Sequence, residues 1–372
     1  MNCSEQLRST LAARADAAAR SRELMIHPRM REITARRLLI VGRRGGTHVG
    51  GSLERSGHSL ALNTDLLEIN DAMRGSRFLN RLTWRYLDHK PLHWTSFGQR
   101  VIEMCERWRP DVLLVTGIAP VNVNTLMRIK KLGIRRCNYL TDDPWNSAHH
   151  SRWFLEALTQ YDFIFTTRRS NIDDLHNATS ARVCYLPFGY DPELFFPVEL
   201  TAAEQDAFDS DVVFAGGADK DRIPYLAALG QAGIKVALYG GYWERFSETR
   251  KVARGPIGVE LLRKAITGAK VALCLVRRAN RDGHAMRSFE VPAVKACALV
   301  EKTEEHLSLF GPEGNAVMYF NSILEMLEKT AWLLSRPEER SRLAEAAHRL
   351  VVQGEHTYRD RLKTILGLVS SS

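Results

Sequence analysis

The sequence is poor in cysteine, and its cysteines are scattered. Only six occur among 372 residues, none of them in a Cys-x-x-Cys pair or at the spacing of a metal site. Cys184 and Cys274 lie inside apolar, strand-like runs, so we expect them to be small buried hydrophobic residues. This usage excludes a disulfide-stapled secreted domain and predicts a reducing compartment.

Long apolar runs are also missing. The longest ones, such as residues 271–276, are much shorter than the roughly 20 residues of a membrane-spanning helix. Residues 1–24 carry charges throughout and lack the apolar stretch of a secretory signal. We therefore predict a cytoplasmic protein.

Positive charge, in contrast, is in surplus. The 52 lysines and arginines outnumber the 43 acidic residues, so the net charge is +9. Such a surplus favours anionic partners such as nucleotides, phosphosugars or an acidic lipid surface, although it also fits a basic surface with no dedicated partner. The arginines form pairs that are too dispersed for a nucleic-acid tract. We expect no nucleic-acid partner, and a peripheral contact with an anionic membrane stays open.

Short apolar runs alternate with amphipathic stretches in two successive series. The first series covers residues 38–42, 111–117, 138–142, 162–167 and 183–187, with a weaker run at 59–62. The second series covers residues 211–217, 235–241, 270–276, 298–301 and 316–320. Continuous apolar strands separated by helices are typical of buried parallel sheets. The pattern predicts an α/β protein with two halves, each built on a parallel sheet.

The boundary between the halves is marked by proline. Three prolines within residues 186–197 interrupt both helix and strand. Residues 1–36 are rich in Ala, Arg, Glu and Leu, which predicts a helical N-terminal extension, and residues from 337 onward predict a helical C-terminus. The expected domains are residues 37–195 and 196–372, preceded by the extension.

A glycine-rich turn follows the first predicted strand, at residues 42–51. Glycines at this place let a ligand approach the backbone closely, so Gly45, Gly46 and His48 are candidates for the rim of an interdomain cleft. The spacing is not Gly-x-Gly-x-x-Gly, which disfavours a nicotinamide site. The alternative is an ordinary tight turn between strand and helix.

Two adjacent carboxylates, Asp142 and Asp143, come at the end of another predicted strand. Ligands of open parallel sheets bind at this edge, and Pro144 holds Asp143 in an extended conformation. Side chains of adjacent extended residues point in opposite directions, so we expect one carboxylate at most to face the cleft. The alternative role is helix capping.

The second half offers two candidate anion sites. Gly216 and Gly217 follow a strand and precede a helix that begins near Arg222, which would provide a phosphate cradle or, alternatively, an ordinary turn. Residues 277–293 combine four arginines with Asp282 and His284. They also contain Glu290, placed to bind ribose hydroxyls beside a diphosphate. The alternative for Glu290 is a helix-capping role.

Several motifs resemble those of a known enzyme group. Residues 189–197, Gly-Tyr-Asp-Pro-Glu-Leu-Phe-Phe-Pro, are similar to the linker of glycosyltransferases with two facing Rossmann domains, the GT-B fold. Residues 287–293 (Arg-Ser-Phe-Glu-Val-Pro-Ala), 303–306 (Thr-Glu-Glu-His) and 355–359 (Glu-His-Thr-Tyr-Arg) resemble the CgeB-type, spore-protein-like group of these enzymes. The resemblance covers roughly residues 110–365.

The resemblance implies a hexosyl- or related transferase whose second domain binds a nucleoside-diphosphate sugar and whose first domain binds an unidentified glycan, lipid-linked, protein or small-molecule acceptor. Glu290 matches the ribose-binding glutamate of the family, and Arg222 and Arg287 match basic positions near the diphosphate. Asp282 stands where many retaining members have a glutamate that contacts the donor sugar. Such enzymes need no metal or other cofactor, because arginines and a helix N-terminus stabilise the leaving diphosphate.

An acceptor hydroxyl must lose a proton as it attacks the anomeric carbon, so an inverting enzyme needs a base across the cleft. We expect Asp143 or Asp142 in this role, with Asp143 favoured because Pro144 constrains its backbone, and His48 as the next candidate. Two other functions remain open, a nucleotide-sugar epimerase of the same architecture and a non-catalytic glycan- or assembly-binding protein.

Overall fold

The structure is a computed structural model that describes residues 35–371. The predicted helical extension over residues 1–36 thus lies, except for its last two residues, outside the described residues.

Two six-stranded sheets form the centre of the protein, and all their strand pairings are parallel. The strand order is β2-β1-β3-β4-β5-β6 in the first sheet and β12-β11-β10-β7-β8-β9 in the second. The strands are β1 (Arg37–Gly42), β2 (Asn63–Glu68), β3 (Val112–Thr116), β4 (Arg135–Leu140), β5 (Phe163–Thr166), β6 (Arg182–Tyr185), β7 (Ser210–Ala215), β8 (Val236–Tyr239), β9 (Ala253–Gly255), β10 (Ala269–Cys274), β11 (Ala298–Glu301) and β12 (Met318–Phe320).

Helices connect these strands throughout the described residues. They are α1 (Val49–Ser59), α2 (Arg77–Tyr86), α3 (Trp94–Trp108), α4 (Val123–Lys131), α5 (Arg152–Leu158), α6 (Ile172–Ala178), α7 (Ala202–Phe208), α8 (Ile223–Gln231), α9 (Val259–Gly268), α10 (Arg287–Ala293), α11 (Glu304–Phe310), α12 (Ile323–Leu334), α13 (Pro337–Gln353) and α14 (Tyr358–Ser370). Within residues 35–371, no helix is both long and apolar enough to cross a bilayer.

The strand composition explains this architecture. Leu38, Leu39, Ile40 and Val41 of β1 are all fully buried, so helices must cover both faces of the sheet. The parallel register, for example Ile40 opposite Leu114, brings the carboxyl ends of the strands to one edge in each sheet. The structure confirms the predicted α/β fold with two parallel sheets.

The sequence-based prediction fails at two of the four edge strands of the described sheets, β2 and β9. The weak strand expected at residues 59–62 is wrong, because α1 extends to Ser59 and β2 begins only at Asn63. Strand β2 starts with three polar residues, and the three-residue β9 has little apolar character, so neither shows a continuous apolar run. Cys184, expected to be buried, is only half-buried on the edge strand β6, whereas Cys274 is buried as expected.

The segment between the sheets is anchored by the C-terminus. Tyr190 and Thr357 form an isolated parallel bridge, and the Arg361 guanidinium donates to the Pro187 and Phe188 carbonyls at 2.9 Å. The following helix, α14, packs against α1 of the first half. The chain therefore returns to the first sheet at its end, and a division at residues 195 and 196 stays a prediction.

The glycines at the start of α1 allow a close approach of this helix to the turn after β1. A Cβ atom on Gly51 would lie 2.0 Å from the Arg44 carbonyl oxygen, and one on Gly50 would lie 2.7 Å from that of Arg43. Gly45, in contrast, has no atom within 4 Å of such a Cβ. Helix packing therefore accounts for Gly50 and Gly51.

We expect Gly51→Ala to lower the free energy of unfolding by about 1–3 kcal/mol, because the added methyl group must displace backbone. The matched control is Gly45→Ala, which should change it by less than about 0.5 kcal/mol. Urea denaturation of both variants measures the difference. Equal stabilities would show that the turn can move away from α1 at little cost.

Candidate active site

A cavity of about 730 Å³ lies between the carboxyl ends of the two sheets. The first half contributes residues that follow β1, β2, β3, β4 and β5 together with Phe188 of the linker, and the second half those that follow β7 and β10. Ligands of open parallel sheets bind at this edge, and the volume is in the range of small-molecule sites. The fold thus makes one site from two sheet edges.

The structure brings together most of the predicted site residues. Those that line the cavity are His48, Asp142, Gly216, Gly217, Arg222, Asp282 and Arg287. Those outside its lining are Gly45, Gly46, Asp143, His284 and Glu290. Gly45 and Gly46 are exposed on the turn, whereas the other three are buried behind the cavity wall.

Both carboxylate oxygens of Asp143 accept hydrogen bonds from neighbouring residues. Its Oδ2 accepts a 2.6 Å hydrogen bond from Arg281, and its Oδ1 accepts from the Asn171 amide and the Trp145 N–H, both at 3.0 Å. Burial alone would raise the pKa of Asp143, but Arg281 and these donors outweigh it and lower the pKa. The carboxylate therefore holds Arg281 and does not face the cavity.

Asp142 is the carboxylate that reaches the cavity. Gly117, with φ of +61°, lies opposite it, and a Cβ there would stand 3.5 Å from Asp142 Oδ2. The hydroxyl of Thr141 donates to the same oxygen at 3.3 Å, and Asp142 has no ion pair with the described residues. As predicted from extended geometry, one of the two carboxylates faces the cleft, and it is Asp142.

His48 also faces the cavity, from the N-terminus of α1. Burial and the nearby charge of Arg43 lower its pKa below the ordinary value. The imidazole is therefore neutral at pH 7 and able to accept a proton.

A buried ion pair joins the two halves at the cavity floor. The Arg168 guanidinium contacts Asp282 across the cleft, and it also donates to the Thr141 carbonyl at 2.8 Å. Both side chains are at least nine-tenths buried and line the cavity. Because Asp282 is bound to Arg168, its carboxylate helps to close the site.

His284 serves a second contact between the halves. Its Nε2 accepts from the Phe188 N–H at 3.0 Å, so its Nδ1 donates to the Glu305 carboxylate. Glu305 also accepts from the Arg169 N–H and from the Tyr185 hydroxyl, both at 3.1 Å. His284 therefore holds the linker and does not line the cavity.

The Thr-Glu-Glu-His motif, residues 303–306, binds the backbone and side chains on both sides of His284. The Thr303 hydroxyl donates to the Gly283 carbonyl at 2.5 Å, and the Ser288 hydroxyl donates to His306 Nε2 at 2.8 Å. Burial lowers the pKa of His306 to about 4, so it remains neutral. This motif is structural here.

Cations cover the second-half wall of the cavity. Arg287 donates to the Ala215 carbonyl and contacts Glu290, and burial lowers its pKa to about 10, which leaves it charged at neutral pH. Arg222 donates to the carbonyls of Gly217 and Leu275, each at 3.3 Å. Arg277 is 38% exposed and lines the same wall. Glu290 lies behind Arg287, so a contact of Glu290 with ribose stays a prediction.

The fold and part of the sequence match known proteins. Residues 222–367 match the family described as glycosyl transferase-like. A search of curated proteins finds no significant sequence match. The fold is GT-B.

Three solved structures illustrate the likeness. A sucrose-phosphate synthase from Thermosynechococcus elongatus has a TM-score of 0.64 at 11% identity, over 90% of this chain and 98% of that one. A glycosyltransferase from Rickettsia africae has a TM-score of 0.62 at 11% identity, over 91% and 98%. HepE of Anabaena in complex with UDP-glucose has a TM-score of 0.60 at 11% identity, over 90% and 99%.

Sequence reasoning missed the groups that join the two halves, above all Arg168, Arg281 and Glu305. Arg168 and Arg169 form an arginine pair just after β5, and this pair could have identified Arg168 as a site residue. Nothing in the local pattern identifies Glu305 as the partner of His284, because the two side chains come together only through tertiary packing. Among residues 35–371, no group of three or more His, Cys, Asp and Glu side chains is placed to hold a metal ion.

The contact between Glu305 and His284 predicts a loss of stability in acid. Burial tends to raise the pKa of Glu305, but the hydrogen bond from His284 outweighs it, so the pKa is lowered in the folded state. A lowered carboxyl pKa stabilises the fold above the unfolded value, about 4.3, and this contribution disappears as the pH falls through the folded value.

We therefore expect Glu305→Gln to lower Tm at pH 7, with a deficit that shrinks as the pH falls below about 4. Glu304→Gln, at an exposed neighbouring position, is the control and should have a much smaller effect. Thermal unfolding between neutral and acidic pH measures both variants. A deficit that is constant with pH would contradict a hydrogen bond from His284 to the ionised Glu305 carboxylate.

Proposed function

We propose that the protein is a glycosyltransferase that moves a sugar, a hexose or a related one, from a nucleoside diphosphate to an acceptor hydroxyl. The observation that carries this proposal is the division of one cavity into two chemical sides. Arg222, Arg277, Arg287 and glycine backbone lie on the second-half side, whereas Asp142 and His48 lie on the first-half side beside Arg43 and the ion-paired Arg168. The match over residues 222–367 supports the assignment of the donor to the second half.

The donor diphosphate is placed against Arg277, Arg287 and the backbone of Gly216 and Gly217. The arginines supply positive charge and Gly217 supplies an N–H donor where the leaving diphosphate gains charge, whereas the Gly216 N–H donates to the Tyr239 carbonyl. The proposed reaction therefore uses no metal ion or other cofactor. The HepE structure with UDP-glucose supports a nucleotide-sugar donor in this fold. The assignment to the CgeB-type group, with Glu290 binding ribose, is part of the same proposal.

The acceptor is placed on the first half. In a direct displacement, its hydroxyl oxygen bonds to the anomeric carbon while the bond from that carbon to the diphosphate breaks. The hydroxyl proton passes to a base, and Asp142 takes this role because its carboxylate faces the cavity without an ion-pair partner. Neutral His48 is the second candidate. Asp143, preferred on sequence grounds, is bound to Arg281 and is given a positioning role.

A second candidate is a nucleotide-sugar epimerase. A structure from Listeria monocytogenes described as a UDP-N-acetylglucosamine 2-epimerase has a TM-score of 0.53 at 10% identity. An epimerase converts its sugar nucleotide without an acceptor, so analysis of the nucleotide sugar after incubation with the protein alone separates the two functions.

Donor binding tests the proposed function directly. At least one of UDP, GDP, TDP and their sugar conjugates should raise the Tm of the protein, because a ligand that binds only the folded state stabilises it. Arg277→Ala and Arg287→Ala should each weaken that nucleotide's binding by about 10- to 150-fold, while binding of the free nucleoside changes little. Arg349→Ala, at an exposed position outside the cavity, is the control.

Absence of any Tm shift would remove the proposed function. Equal losses for nucleoside and diphosphate would instead show that the arginines do not contact phosphate.

The adjacent pair Asp142 and Asp143 allows a matched test of the base. Asp142→Asn should lower turnover by roughly 10²- to 10⁴-fold, with Tm and donor affinity unchanged, because it removes only the proton acceptor. Asp143→Asn should instead lower the free energy of unfolding by about 1–3 kcal/mol, because Arg281 loses its buried carboxylate partner and keeps only the half-exposed Asp174.

Release of nucleoside diphosphate in the presence of acceptor measures turnover, and urea denaturation measures stability. Near-normal turnover of Asp142→Asn would move the base to another residue, with His48→Gln as the next variant.

A further inference from the structure

Helix α2 carries an exposed apolar surface beside the cavity. Six of the twelve large hydrophobic side chains exposed on the described residues lie between positions 78 and 87. Phe78 and Tyr86 are 70% and 69% exposed, which is unusual for side chains of this size. A contiguous apolar patch of this kind marks an interaction surface.

The apolar side chains share one face of the helix. At 100° per residue, Phe78, Leu79, Leu82 and Tyr86 fall within an arc of about 100°. Asn80 lies on the opposite face, where its amide donates to the Met73 carbonyl at 2.7 Å and its Oδ1 accepts from the Leu92 N–H at 3.2 Å. The apolar face is therefore turned away from the domain.

The charge around this face has one sign. Residues 73–87 contain no aspartate or glutamate but four arginines, at positions 74, 77, 81 and 85, of which Arg74 is ion-paired with the preceding Asp71. Arg81 and Arg85 are exposed along one border of the apolar face, and neither forms an ion pair with a described residue. Arginines beside Phe, Leu and Tyr are typical of helices that lie in the interface of an anionic bilayer.

The opposite side of the same segment reaches the cavity. Trp84 and Met73 line it, together with His89 and Pro91 after the helix. Trp84 packs on His89 with ring centroids 4.9 Å apart. A surface bound to the apolar face of α2 would thus lie next to the first-half side of the cavity.

We propose that α2 docks the protein on an anionic lipid bilayer, with Phe78, Leu79, Leu82 and Tyr86 inserted among the headgroups and Arg81 and Arg85 on lipid phosphates. If the proposed transferase function holds, the acceptor is an amphiphile whose hydroxyl head group enters the cavity from the membrane surface.

Sedimentation of the full chain with lipid vesicles tests the docking, in the absence of nucleotide. The protein should bind vesicles of phosphatidylcholine mixed with phosphatidylglycerol and bind pure phosphatidylcholine much more weakly. Phe78→Ser/Leu82→Ser should lower the affinity for the mixed vesicles by at least about tenfold. Arg81→Gln/Arg85→Gln should lower it by about 30-fold, since one basic residue near an anionic surface contributes about fivefold.

The control variant is Leu261→Ser/Leu324→Ser, which removes exposed leucines of the second half and should bind vesicles normally. Wild-type binding by both α2 variants, or no binding of the unaltered chain to mixed vesicles, would overturn the proposal. Self-association that sedimentation velocity detects in the unaltered chain and not in Phe78→Ser/Leu82→Ser would overturn it too, because a second copy would then cover the face.

Nucleotide-dependent Tm shifts on the same samples keep the two proposals apart. Vesicle binding without any nucleotide shift would support the docking surface and count against the transferase. A nucleotide-dependent rise in Tm without vesicle binding would support the transferase and count against the docking surface.

Discussion

Charged contacts between the two halves are what the rest of the site depends on. Arg281 reaches Asp143, and Asp282 of the same loop reaches Arg168, so the loop after β10 is held on the edge of the first sheet from both sides. Buried charges are costly unless they are paired with good geometry. The arrangement of the halves seen here satisfies both pairs at once, and we infer that they contribute more to the specificity of docking than to stability.

These contacts between the halves determine which polar groups of the site remain available to a ligand. Because Asp143 is needed for Arg281 and His284 for Glu305, neither is available to a ligand. Asp142 and Arg277 keep their exposure to the cavity, one on each side. The chemistry proposed for the site therefore uses the groups that docking leaves free.

The motifs behind the family resemblance act mainly in this docking. Thr303 binds Gly283 of the loop after β10, His306 binds Ser288 at the start of α10, and the C-terminal motif pairs with the linker at Tyr190. Local sequence patterns can be recognised without showing what they do. Here the motif residues hold the loop after β10 in one position. The residues that line the cavity lie next to them.

The sequence by itself determined the architecture, because strands buried on both faces carry continuous apolar runs, as at residues 38–41 of β1 and 298–300 of β11. Edge strands β2 and β9 escaped prediction because they are buried on fewer sides and need no such run. Only the tertiary structure decided which of Asp142 and Asp143 faces the cavity. That choice depends on Arg281, which lies 138 residues away, and no periodicity in the chain records a contact between two such distant residues.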